Sequence, residues 1–287
     1  MNLKKEGGSL IQPFLKWAGG KRQLLPHISK FYPKTFNRYF EPFVGAGAVF
    51  MDLKHTEIVI NDLNSDLMNV YEVVKNDVDN LIELLKVHAK KNDKEYYYDV
   101  RQYDRNGTLE KMSSTERAAR FIYLNKTCYN GLYRVNSKGQ FNVPYGDYKK
   151  PNIVNEDVLR AVSHYFNDNN ITIMNVDYKE ALKEAGEGDF VYLDPPYAPI
   201  DSQSFVSYTS TGFTLEDQRE LRDIFVELDE RGCYGMLSNS SVPLIHELYE
   251  DYKETTKIIG ATRMINSNAR GRGKVDEVLV MSYPKKE

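Results

Sequence analysis

Asp189-Phe190-Val191-Tyr192-Leu193-Asp194-Pro195-Pro196-Tyr197 sets four apolar residues between two acids and then turns sharply. An apolar run of this length without polar alternation suits a parallel strand covered on both faces by helices. Open α/β sheets bind ligands at the carboxyl ends of such strands. There the two prolines stiffen the chain, so that the Asp194 carboxylate and the Tyr197 ring can face one cleft. A plain Pro-Pro turn is the competing account of the same residues.

Outward from this strand, the chain reads as alternating strands and helices. Residues 38–43, RYFEPF, form a short strand entering the glycine turn Val44-Gly45-Ala46-Gly47-Ala48, and EIVIND at 57–62 forms a second strand ending in polar residues. This is a strand, glycine turn, helix, strand opening. Glycines let the backbone approach a ligand closely, and Asp62 at the end of the second strand could take ribose hydroxyls. The third glycine of a dinucleotide fingerprint would fall on Phe50, which argues against NAD, and a simple strand-to-helix turn accounts for Gly45 and Gly47 equally well. Further strands are expected at 171–177, 233–240, 255–261 and 276–283. A helix carrying Leu221, Ile224, Phe225 and Leu228 is capped by Thr214 and Asp217, and a short one runs near 244–249. The expected class is α/β with a mainly parallel sheet, drawn from residues 1–63 and 170–287.

Residues 64–169 read as an insertion. Leu67, Val70, Tyr71 and Val74 follow helical spacing after Asn64-Ser65-Asp66; Leu81, Ile82, Leu84 and Leu85 mark another helix; Ser113 and Glu116 form a capping box before Ala119, Ile122 and Leu124. Tyr133, Val135, Phe141 and Val143 alternate on either side of Asn136-Ser137-Lys138-Gly139, the pattern of a β-hairpin.

The 287 residues include 41% hydrophobic ones, enough for a sizeable core. Two cysteines, with no C-x-x-C or H-E-x-x-H spacing, offer neither a disulfide framework nor a metal site. No signal-like apolar segment or membrane-length run is seen, so a soluble, cytoplasmic protein is expected, and a monomer. The net charge of −3 hides a sorting: residues 1–40, 111–150 and 261–275 carry +7, +6 and +4, and the rest is acidic. One face meeting phosphate would explain this, as would scattered solvated Lys and Arg. Arg263, Arg270, Arg272 and Lys274, in a Gly/Ser/Asn-rich loop, read as phosphate contacts or as exposed loop charges.

FLKWAGGK (14–21), EPFVGAG (41–47), IND (60–62), YNGLYRVNSKGQFNVPYG (129–146) and DPPY (194–197) together resemble the Dam-like DNA adenine-N6 methyltransferases, through nearly the whole chain. That family includes GATC-reading modification enzymes of restriction systems as well as orphan regulatory enzymes. The resemblance implies a Rossmann-like fold binding S-adenosylmethionine (SAM), with residues 64–169 as an inserted helical target-recognition domain carrying the β-hairpin. It implies SAM contacts at Trp17, Lys21, Asp62 and Asp194, with Phe43, Gly45 and Gly47 in the methionine-side loop. Asp177 could reach the SAM adenine, or simply be a polar strand end.

The chemistry agrees with the resemblance. An adenine amino group is conjugated with its ring, so its lone pair is poorly available until the nitrogen pyramidalises. Asp194 can accept one amino hydrogen and stabilise the growing positive charge, and the Pro195 carbonyl can accept the other. Tyr197 would stack on the base, which must leave the duplex because its amino group lies inside a base pair. No metal is implied. Arg134 can present a fork to guanine O6 and N7; Tyr129, Asn130 and Leu132 are placed to intrude where the base leaves; by family pattern Pro144 and Tyr148 lie against double-stranded DNA. The competing account makes Tyr129 and Leu132 hairpin core and Arg134 a solvated charge. An RNA or protein-amide methyltransferase, or a DNA-binding module without turnover, are the alternative functions.

Overall fold

The computed structural model describes residues 10–199, 213–262 and 274–284, the side chains at 261, 262, 274 and 275 excepted. Its seven strands among those residues are β1 (Tyr39–Glu41), β2 (Glu57–Asn61), β3 (Asn170–Met174), β4 (Phe190–Leu193), β5 (Tyr234–Ser240), β6 (Lys257–Thr262) and β7 (Lys274–Met281). They are ordered β3-β2-β1-β4-β5-β7-β6. β1 runs parallel to β2 and β4, and β4 parallel to β5, whereas β7 is antiparallel to both β5 and β6. The α/β class and mainly parallel sheet expected from the sequence are therefore present.

The chain forms two compact units, Met1–Arg22, Gly45–Lys54 and Asp62–Asn175 in one, Gln23–Val44, His55–Asn61 and Val176–Glu287 in the other. The second holds the core of the central strands. Phe40, Val191, Leu193 and Leu237 pack with Leu221 and Phe225 of a long helix, and with Val278 and Val280 of β7. That helix and the others can be numbered in chain order: α1 (Leu25–Ile28), α2 (Ala48–Leu53), α3 (Ser65–Asn76), α4 (Val78–Lys91), α5 (Lys94–Arg101), α6 (Ser114–Thr127), α7 (Glu156–Asp168), α8 (Tyr178–Ala181), α9 (Leu215–Glu230) and α10 (Pro243–Leu248). α9 starts where Thr214 and Asp217 exchange the two bonds of a capping box.

In the first unit α3, α4, α6 and α7 pack together through their apolar stripes, with Leu67, Val70, Tyr71, Val74, Leu81, Ile82, Leu85 and Ile122 buried. Asn64 caps α3 by accepting from Leu67 N at 3.1 Å, and Ser113 with Glu116 closes the capping box of α6.

The hairpin is looser than the alternation predicts. Its arms meet at the bridges Val135 with Phe141 and Cys128 with Tyr145, through Asn136 N to Gln140 O at 2.9 Å, Asn142 N to Arg134 O at 3.0 Å, and Tyr129 N to Pro144 O and Gly146 N to Thr127 O, each at 2.8 Å. Asn136 Oδ1 accepts from Lys138 N and Gln140 N, each at 3.0 Å, so that Gln140 N does not return a bond to the Asn136 carbonyl, while Asp104 Oδ2 accepts at 2.8 Å from Phe141 N, which points away from the facing arm. Asp104 also pairs with Arg105 and with Arg120 of α6, the latter at 3.0 Å with side chains 8% and 7% exposed. Arg120 Nε donates to Val100 O at 3.0 Å, and Arg105 Nη2 donates to Phe141 O at 2.6 Å.

Asp104 is thus the staple between the helices and the tract. Asp104→Ala removes the partner of a buried guanidinium and is expected to cost about 3–5 kcal/mol. Urea unfolding checks this, and a midpoint within error of the wild type would contradict it.

Candidate active site

β4 ends at Leu193, and Asp194 follows, half-buried, with Pro195 buried and Pro196 exposed. The segment is held at several points. The Tyr197 hydroxyl donates to Glu277 Oε2 of β7 at 2.9 Å. Gln218 Nε2 of α9 donates to the Pro196 carbonyl at 2.9 Å, and Ala198 N donates to Asn239 Oδ1 of β5 at 2.9 Å. Asn239 Nδ2 in turn donates to Gln218 Oε1 at 3.1 Å. Beneath it, Tyr192 and Ser238 share a hydrogen bond of 2.7 Å. Burial, then the charges of Asp194 and Glu277, hold the Tyr197 hydroxyl far above its ordinary pKa. It therefore stays protonated and remains a donor.

The same unit carries Phe43, whose ring lies 5.1 Å from Tyr178 and 6.3 Å from Phe213. Asp177 is exposed, and its carboxylate caps α8 by accepting from Lys179 N at 3.0 Å.

In the other unit Gly45, Gly47 and Asp62 meet. Gly45 N donates to Asp62 Oδ2 at 3.2 Å and Asn64 N to Oδ1 at 3.0 Å. Both glycines have positive φ, +47° and +71°, and both are crowded. A Cβ on Gly45 would stand 2.9 Å from Trp17 Cδ1, and one on Gly47 would stand 2.2 Å from Phe50 Cε1. Glycine is required here by the close approach of the protein's own rings as well as by backbone conformation. Tyr71 OH, buried beneath the loop, donates to Gly45 O at 2.8 Å. Lys21 is buried and its Nζ donates to Gly19 O at 2.7 Å.

Trp17 also stacks on Tyr133 at 5.6 Å, and Tyr133 on Phe121 at 5.1 Å, which ties the glycine loop to the 129–146 tract within one unit. In that tract Tyr129 is 46% exposed, so it is not hairpin core, and Leu132 is half-buried. Asn130 adopts φ +55°. Arg134 is exposed, with Nε donating to Asn142 Oδ1 at 2.7 Å. Pro144 is exposed, its carbonyl accepting from Tyr129 N at 2.8 Å. The Lys16 ammonium sits 4.1 Å from the Tyr148 ring centroid. Arg263, Arg270 and Arg272 lie outside the described residues, as does the side chain of Lys274.

A family model described as D12 class N6 adenine-specific DNA methyltransferase matches residues 17–265. The chain belongs to that family. This D12-class methyltransferase is 51% identical over 284 residues, 99% of each chain, to Type II methyltransferase M1.LlaDCHI of Lactococcus lactis subsp. cremoris. Identity is 43% to Type II methyltransferase M.MjaIII of Methanocaldococcus jannaschii, over 95% of this chain and 99% of the relative. It is 36% to the DNA adenine methylase of Escherichia coli (strain K12), over 94% and 95%.

Several parts of the methyltransferase's site escaped sequence reading. Tyr71 of α3, Gln218 of α9, Asn239 of β5 and Glu277 of β7 hold these segments through contacts distant in sequence; for Asn239 and Glu277 the hint was a polar residue type within an expected strand, and for the two helical residues there was none. Leu63, next to Asp62, is 76% exposed, the most exposed large apolar side chain among the described residues. Lys126 is pushed down to about 8, by burial first and then by the neighbouring charges of Lys16 and Arg22. Among the described residues no group of His, Cys, Asp and Glu could hold a metal ion, and no helix is long and apolar enough to cross a membrane.

Burial raises the Asp62 carboxyl above its usual range, against the backbone N–H groups of Asn64, Gly45 and Leu63, which lower it. A raised acid binds its proton more tightly in the folded state, so stability from this group is greatest at low pH and declines as pH rises from the ordinary carboxylate range through the raised value. Relative to wild type, Asp62→Asn is therefore expected to gain unfolding temperature between about pH 4 and about pH 7, because Asn does not titrate, although its single oxygen leaves Gly45 N or Asn64 N facing an NH2 at both pH values. Thermal unfolding at the two pH values checks this; a variant that loses ground to wild type as pH rises would contradict it.

Proposed function

We propose that this methyltransferase uses SAM to methylate N6 of adenine in duplex DNA, at GATC, by flipping the base and transferring the methyl directly. The observation that carries the proposal is the Asp194–Tyr197 segment, with its acceptors and its ring fixed at the carboxyl end of β4. The GATC assignment rests on the resemblance of the 129–146 tract to GATC-reading enzymes. Higher identity to the two type II methyltransferases than to the Escherichia coli adenine methylase favours a modification role beside a restriction endonuclease.

When bound, SAM supplies a methyl group on a positively charged sulfur, so no activated protein nucleophile is needed. Asp62 fits the ribose: its two oxygens already accept backbone N–H groups and keep lone pairs for hydroxyl donors. Exposed Leu63 offers an apolar face to the adenine of the cofactor. Trp17, Lys21, Gly45 and Gly47 of the same unit, and Phe43 and Asp177 of the other, are the further SAM contacts that the family resemblance implies. At the reacting end Asp194 and the Pro195 carbonyl accept the two hydrogens of the target amino group. This favours the pyramidal nitrogen and the charge it gains, while Tyr197 stacks on the ring.

Residues 64–169 are proposed to read the target. Tyr129 is exposed as a wedge should be, with Asn130 and Leu132 beside it. The Arg134–Asn142 bond sets the guanidinium plane, so that the edge carrying Nη1 and Nη2 can address a guanine. Pro144, Tyr148, Arg270 and Arg272 complete the proposed DNA surface.

Asp194→Ala is expected to lose about 10²- to 10³-fold in rate with saturating SAM while still folding. Transfer of tritium from labelled SAM to a GATC duplex, with the modified base identified, measures this; near-normal turnover would remove Asp194 from the site. Arg134→Ala is expected to lose about 1–3 kcal/mol of discrimination at one base pair only. Rates on GATC and on every single-base variant, at two salt concentrations, separate the cases. A uniform fall, with the salt slope reduced by about one, would make Arg134 a phosphate contact instead.

A further inference from the structure

Glu277 is an acid where β7 passes from exposed Asp276 into the core. It is 9% exposed, and the four residues after it, Val278 to Met281, are all buried. In the sheet it stands opposite Ser240 of β5 and Ile259 of β6. An apolar side chain would serve packing at this position at least as well, because burying an acid costs stability unless hydrogen bonds compensate. What the acid gains is the Tyr197 hydroxyl, 2.9 Å from Oε2.

The backbone around Tyr197 does not depend on that bond. Gln218 holds the carbonyl before it and Asn239 the amide after it, and these two carboxamides, 2% and 0% exposed, bond each other. Asn239 Oδ1 also accepts from Ser240 N at 2.8 Å. With the main chain fixed on both sides, the remaining freedom of Tyr197 is rotation of its side chain. Glu277 restrains the far end of that side chain.

We propose that Glu277 is a positioning residue for methyl transfer, acting through Tyr197. It locks the phenol ring in the orientation that stacks on the target adenine. As the acceptor of the phenol proton, it also enriches the ring face that meets the positive charge growing on the amino nitrogen. The proposal rests on the adenine-methylating reading given above.

The test uses the full chain with single-turnover methylation of a GATC duplex, so that product release does not mask the chemical step. Glu277→Gln keeps an acceptor but removes the charge, and Tyr197→Phe removes the hydroxyl but keeps the ring. Each single variant is expected to lose roughly tenfold in the transfer rate, with SAM affinity unchanged. The double variant is expected to fall no further than Tyr197→Phe alone, because without the hydroxyl residue 277 has no bond through which to act on the ring. A duplex with 2-aminopurine at the target position should give altered fluorescence in both singles, since ring stacking on the flipped base has changed.

Tyr197→Phe or Glu277→Gln transferring at the wild-type rate overturns the proposal. So does a double variant whose loss is the product of the two single losses. Should Glu277→Gln fail to fold, Tyr197→Phe reads the same bond from its other end, and its rate and fluorescence decide. A failure of the underlying reading shows itself separately: the wild type would then leave adenine unmethylated.

Discussion

A strand buried on both faces has no place for a charge until it ends, and β4, with all four residues buried between β1 and β5, ends at Leu193. The first polar residue after it must emerge at the carboxyl edge of the sheet. Asp194 is placed by that constraint before any specific contact is made. The prolines that follow limit the backbone, and the neighbouring strands supply the groups that fix it. Parallel pairing with β1 and β5 therefore determines where the Asp194 carboxylate and the Pro195 carbonyl emerge.

Polar groups inside this sheet are tolerated because each finds a partner. Gln218 and Asn239 each use both ends of a carboxamide, so burial leaves little penalty and the loop gains a fixed path. The arrangement is specific in direction: swapping either amide end would face donor to donor. Tyr192 with Ser238 continues the polar column one step deeper. A core of this kind gives up some ease of packing in return for one defined loop geometry.

The 129–146 tract is stabilised in the opposite manner, with little regular structure of its own. Buried Asp104 joins Phe141 N to Arg120, the Tyr97 hydroxyl and Arg101 hold the Val143 carbonyl, and Trp17, Tyr133 and Phe121 stack in series. Such fixings leave Tyr129, Arg134 and Pro144 exposed on a stretch whose anchor points are rigid. Loops held by a helical scaffold in this way can vary in what they read without disturbing the core.

Local pattern alone determined the α/β class, the capping boxes of α6 and α9, the strand bearing Asp194 and the helical character of residues 64–127, because each depends on neighbours a few residues apart. Tyr129 and Arg134 are exposed, as their proposed contacts with DNA require. Tertiary structure decided what lay far apart in sequence. Glu277 meets Tyr197 across 80 positions, and Asp104 meets Phe141 across 37. The latter bond ties the outward Phe141 N–H of the hairpin to the helices, while the Asn136 side chain claims Gln140 N within the turn. Periodicity reports which face a residue shows, but not which distant donor will claim its backbone; that is fixed only when the strands and helices have packed.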